Sequence, residues 1–112
     1  MAKKKHIVYV LTEPTDGNED AFNDYYENLH LKEVLQTTQF SSAQRFQLVG
    51  EAGEPCPLPY LAVYETEAEN AEEVLKDLSA RRSEREQSDS LNRRTGRVWV
   101  FEEIGPKHER PV

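Results

Sequence analysis

Cysteine is almost absent from this chain: Cys56 is the only one in 112 residues. A single thiol excludes an intrachain disulfide and any thiolate metal cluster. Histidine is scarce as well, and His6, His30 and His108 make no helical ligand pair. No H-E-x-x-H motif or repeated Asp/Glu ligand spacing occurs, so no metal site is expected. The five glycines include Gly17, Gly50 and Gly53 in turn contexts and form no phosphate-cradling loop. A G-x-S-x-G elbow is missing too. No nicotinamide, nucleotide or flavin signature remains, and the expectation is a protein without a cofactor. Long apolar runs are also lacking, so no segment is expected to span a bilayer. Met1 to Lys5 is basic but runs straight into a strand pattern without the apolar core of a signal peptide. A cytoplasmic protein with no membrane partner is the expectation.

Basic residues are the scarcer sign, 14 Lys and Arg against 21 Asp and Glu, for a net charge of -7. Such a surface repels polyphosphates, which argues against nucleic acid as a partner. The local exception runs from Arg81 to Arg97 and holds Arg81, Arg82, Arg85, Arg93, Arg94 and Arg97. Glu84, Glu86 and Asp89 are interleaved with it, and a solvated loop of paired charges is expected there.

What is present is a modest apolar fraction, 37%, beside 31% charged residues. That balance belongs to a folded globular chain, and the length fits one domain over residues 1–112. Residues 6–11 are β-branched, aromatic and apolar and read as a first strand. Thr12 to Gly17 is a turn. Asn18 is placed to cap a helix from Glu19 to His30, whose stripe is Phe22, Tyr25, Tyr26 and Leu29. A short further turn covers Leu31 to Leu35. Residues 43–49 alternate as a second strand, and Gly50 to Pro59 is a long hairpin connection. Tyr60 to Tyr64 is a third strand. Glu65 to Asn70 leads into a second helix with Ala68, Ala71, Val74, Leu75 and Leu78 on one face. Arg97 to Ile104 is a fourth strand.

The order β-α-β-β-α-β predicts an α+β fold of the ferredoxin-like kind, with two helices on one face of an antiparallel sheet. Strands one, three and four are apolar on both faces. Val8 and Val10 oppose Ile7, Tyr9 and Leu11; Tyr60, Ala62 and Tyr64 oppose Leu61 and Val63; Val98 and Val100 oppose Trp99 and Phe101. Helices cover one face only, so the second needs a partner, and an identical subunit is the simplest. A homodimer is expected.

His30 is the leading chemical candidate. It follows Phe22 and Tyr26 at steps of four, beside the packed face of the helix. Imidazole both takes and gives a proton near neutral pH, although a histidine there also serves simply to cap the helix end. Tyr25 and Tyr26 are neighbours about 100° apart on a helix, so one faces a cleft while the other packs. Tyr9 and Tyr64, on central strands, offer phenols to the interior. Arg45 lies within the second strand between Gln44 and Phe46, where its charge is solvated, paired or used to hold an anionic group.

The pattern Phe22-x-x-Tyr25-Tyr26-x-x-x-His30-Leu31-x-x-Val34, then Phe40, then Ala43-x-Arg45-Phe46, resembles the EthD-like group of dimeric α+β barrel proteins. The resemblance is strongest over residues 20–48 and extends, in element order, to about residue 104. His30 matches the family's histidine, Tyr25 and Tyr26 its aromatic pair, and Arg45 a recurrent arginine; Gln39 stands where the family commonly has glycine. The wider superfamily includes cofactor-free oxygenases, muconolactone isomerase-like proteins, dehydratases, haem enzymes and small stress-responsive proteins.

What the resemblance implies is a homodimer with a pocket for a small hydrophobic or aromatic molecule. His30, Tyr25 and Tyr26 would be catalytic, with Arg45 and Phe22 around the substrate; the strand positions of Tyr9 and Tyr64 add these two phenols to the expected substrate-binding set. The expected function is a small cofactor-independent enzyme using histidine acid/base chemistry of the isomerase, dehydratase or lyase type. Non-catalytic ligand binding is the alternative, and a cofactor-free oxygenase or haem-binding role a further one.

Overall fold

The computed structural model describes residues 2–112. The four strands, rich in β-branched and aromatic residues except for the more polar β2, are β1 (Lys4–Thr12), β2 (Ser42–Gln47), β3 (Tyr60–Ala68) and β4 (Arg97–Glu102). They form one sheet in the order β2-β3-β1-β4, with every neighbouring pair antiparallel. Helical residues 19–37 connect β1 to β2, and α3 (Ala71–Ala80) connects β3 to β4. This is an α+β domain whose order and directions match the ferredoxin-like arrangement.

The register fixes the faces. Val8 lies opposite Tyr64 and Val100, and Val10 opposite Ala62 and Val98. These residues face the helices, where Phe22, Tyr26, Val34 and Val74 close the core against them. β3 is longer than the sequence pattern suggested, because its outward positions turn polar at Glu65 and Glu67 while Thr66 and Ala68 stay buried. Ala68 therefore ends a strand rather than starting the second helix. Asn70 caps α3 through its side-chain oxygen, which accepts from the Glu73 N–H at 2.9 Å. Asn18 stands at the start of the first helix but makes no capping bond; its amide donates to Thr15 Oγ1 at 2.7 Å.

The helical stretch is not one regular helix. It comprises α1 (Glu19–Tyr25), a π turn (Tyr26–His30) and α2 (Leu31–Thr37), with the backbone helical through both joins. Among the described residues no helix is long and apolar enough to cross a membrane.

Residues 81–96 correct the expectation of a merely solvated loop. Arg81 and Glu84 do pair on the surface, but after a 3₁₀ turn at Arg82–Glu84 the chain folds back as a strap. Thr15 N–H donates to Ser90 O at 2.7 Å, and Asn92 N–H to Glu13 O at 3.0 Å. Leu91 bridges to Pro14. These bonds hold the strap against the loop that leaves β1, and Arg85 becomes buried beneath it.

Candidate functional site

Tyr25 and His30 are five residues apart. At 3.6 residues per turn they would lie about 140° apart around the axis. The π turn removes that separation. The Leu31 N–H reaches back to Tyr26 O, five residues away, and widens the coil. As a result the Tyr25 and His30 rings stack with centroids 5.3 Å apart and an interplanar angle of 29°. Tyr26 meets the same imidazole edge-on at 4.7 Å.

The hydrogen bonds then fix the tautomer. The Tyr25 hydroxyl donates to the Glu86 carbonyl oxygen at 2.8 Å, since a carbonyl only accepts. With its one proton committed, the phenol oxygen accepts from His30 Nδ1 at 3.1 Å. Nδ1 therefore carries the proton of the neutral ring, and Nε2 keeps a lone pair with no hydrogen-bond partner among the described residues. Burial lowers the His30 pKa to about 4, Arg85 lowers it further in sign, and Glu33 opposes both. The ring is neutral throughout the physiological range.

The free face of His30 opens on a cavity of about 380 Å³ between the helices, the strap and the sheet. Tyr25, Tyr26 and Tyr64 line it with His30. Its apolar wall comes from Val10, Val34, Leu75, Leu78, Leu91 and Val98. Tyr26 is almost fully buried, and burial pushes its hydroxyl up to about 12. The Tyr64 pKa is raised well above the usual value by burial first and by Tyr26 next. Both phenols stay protonated and keep a donor. The Tyr25 pKa rises too, by burial and then Glu33, with Arg93 and Arg85 pulling the other way.

Arg85 is a residue of this cavity that the sequence did not single out. Only 8% exposed, it donates from Nε to Thr37 Oγ1 at 2.8 Å and from Nη2 to Leu78 O at 2.7 Å. Those partners lie 48 and 7 residues away, and no local spacing announces them. Arg82 and Arg93 stand on the same wall.

Phe22 and Arg45 lie on the far side of Tyr26. Phe22 is fully buried and supports the Tyr26 ring at 5.5 Å. The Arg45 guanidinium sits 5.1 Å from the Tyr26 ring centroid and 5.6 Å from those of Phe22 and Tyr60. Its Nη2 donates to Asn23 Oδ1 at 2.6 Å, and Nη1 meets Glu27 at 3.4 Å. A separate shallow cleft of about 250 Å³ opens there, shared with Phe46, Gln47 and Tyr60. Tyr9 points to the opposite face of the sheet and packs edge-on against Phe101 at 5.4 Å. Thus four of the seven predicted side chains converge on one cavity, one buttresses it, and Arg45 and Tyr9 lie outside it.

A larger groove of about 570 Å³ lies at the other end of β3, between Lys3, Lys5, Glu65, Glu67, Glu73 and Asp77. Its charges are mixed and it holds neither histidine nor phenol. Among the described residues no cluster of His, Cys, Asp and Glu has the geometry of a metal site. Comparison with known proteins gives no matching family model, no matching curated protein and no matching solved structure.

Proposed function

We propose that this chain is a small cofactor-independent enzyme in which His30 is the general base. The substrate is an apolar or aromatic small molecule, and the reaction is an isomerisation, dehydration or related elimination. One observation carries the reading: a neutral histidine whose tautomer is fixed by Tyr25, and whose Nε2 lone pair is left free beside a cavity with apolar walls. The resemblance to EthD-like proteins points to the same histidine.

The electrostatics narrow the chemistry. A base with a pKa of about 4 is always available at neutral pH, yet it holds a proton weakly. It suits removal of a proton already acidified by an adjacent carbonyl, followed by prompt return of that proton to another atom. A protonated phenol on the wall, Tyr26 or Tyr64, donates to the oxyanion that develops meanwhile. The reading also takes in a homodimer, supported by the apolar sheet face that no helix covers.

The test is proton exchange. Small aromatic carbon acids are incubated with the protein in D₂O and followed by NMR. The wild type should wash deuterium into the acidic position, and His30→Gln should slow this by about 10²–10⁴-fold with its circular dichroism unchanged. Exchange at full rate in His30→Gln removes the general base. Binding without exchange in either protein assigns the cavity to ligand carriage.

A further inference from the structure

We propose that the molecule held beside His30 carries a carboxylate or a similar oxyanion, and that Arg85 is its anchor. This rests on the His30 cavity being the working site. The chain as a whole has a net charge of -7. The cavity inverts that balance: Arg82, Arg85 and Arg93 line it, and no Asp or Glu does.

Arg85 is the informative one. Taking a guanidinium out of water is costly unless an anion compensates it. Arg45, the other arginine whose side chain is largely out of water, follows that rule by pairing with Glu27. Arg85 does not. It makes no ion pair among the described residues, and both of its partners, Thr37 Oγ1 and Leu78 O, are neutral. Two carboxylates act on it from further off, Asp77 and then Glu33, but neither bonds it: Asp77 accepts from the Gln39 N–H at 2.8 Å and Glu33 from the Glu86 N–H at 2.9 Å.

Those two neutral bonds use Nε and Nη2 and hold the guanidinium plane still. Nη1 has no hydrogen-bond partner among the described residues and is not sealed from solvent. A preorganised fork with one nitrogen free, on the wall of a cavity of about 380 Å³, fits a ring-sized acid. Its apolar body would rest on Val34, Leu78, Leu91 and Val98, and its oxyanion on Arg85. The anchor also acts on the base. Arg85 is one of the groups that depress the His30 pKa, so a carboxylate that offsets its charge makes His30 a stronger proton acceptor when substrate is bound.

The experiment uses the full chain and matched acid–amide pairs, benzoate with benzamide and phenylacetate with phenylacetamide, titrated while the His30 ring and the Arg85 Nε–H are followed by NMR. The acid should bind roughly tenfold or more tightly than its amide, shift the Arg85 Nε–H, and raise the His30 pKa. Arg85→Gln should abolish the preference. Should that variant fail to fold, the Arg85 resonance in the wild type decides: movement with the acids alone supports the anchor, and no movement overturns it. Amides binding as tightly as acids while shifting His30 overturn the anchor and leave the His30 site standing. A preference for acids that survives Arg85→Gln overturns Arg85 as the anchor. If neither acid nor amide moves His30, both the anchor and the underlying site are overturned.

Discussion

A buried histidine and a half-buried one in the same small domain show how much a single hydrogen bond decides. His6 is 1% exposed, and both ring nitrogens are engaged, Nδ1 with Lys4 O at 2.9 Å and Nε2 with Glu102 at 3.1 Å. It ties β1 to β4 and has nothing left to offer a ligand. His30 spends one nitrogen on Tyr25 and keeps the other. Its pKa also makes it a determinant of acid stability. In the unfolded chain an ordinary imidazole titrates near 6.5, whereas the folded ring titrates near 4. Above about pH 6.5 neither state is protonated. As pH falls from 6.5 to 4 the unfolded state gains a proton that the folded state refuses, so stability drops with pH across this window and levels off below it. The full effect is on the order of 3 kcal/mol. Urea melts at pH 7 and pH 4.5 should therefore differ more for the wild type than for His30→Gln, which has no proton to gain. Equal pH sensitivity in both would mean that His30 titrates normally in the fold.

At the scale of elements, the π turn and the strap build the site together. Tyr25 joins them, because its hydroxyl meets His30 on its own helix and Glu86 O on the strap. Tyr25→Phe should cost about 1–2 kcal/mol and speed amide exchange over residues 86–92. It should also release the His30 tautomer, visible as a change in the imidazole ¹⁵N shifts; an unaltered ¹⁵N pattern would show that something else holds the ring. These elements also mark where the sequence stopped being legible. The strands could be read because runs of β-branched and aromatic residues, at Ile7 to Leu11 or Tyr60 to Tyr64, favour extended backbone locally whatever covers their two faces. The Phe22–Tyr26–His30 spacing likewise placed the imidazole near the core. The partner of that imidazole was not readable, since a period of 3.6 sends Tyr25 elsewhere and only the π turn returns it. Arg85 was hidden for a related reason. Its neighbours Glu84 and Glu86 promise local pairing, while its actual partners belong to α2 and α3.

The whole molecule has two unlike sides. Helices and strap enclose the cavity on one, while the other is a bare sheet carrying Phe46 (47% exposed), Trp99 (42%) and Phe101 (48%), with Tyr9, Leu61 and Val63 half-buried between them. In the register, Tyr9 lies opposite both Val63 and Trp99, so this apolar surface is continuous across the central strands. A contiguous apolar patch of this kind is a large share of the surface of so small a chain and is costly to leave in water. Two copies pairing face to face would remove it from water, as the homodimer proposal requires. Sedimentation equilibrium at micromolar concentration should give twice 12.9 kDa. Trp99 is the only tryptophan, so its emission reports on this face alone: blue-shifted in the dimer, red-shifted on dilution as the pair dissociates. Phe101→Glu places a charge in the middle of the patch and should yield a monomer with solvent-like Trp99 emission. Because His30, Tyr25 and Arg85 lie on the other side of the sheet, that monomer, where it stays folded, should retain the low His30 pKa. A wild-type monomer with Trp99 in water at high concentration would refute face-to-face pairing and leave the cavity chemistry untouched.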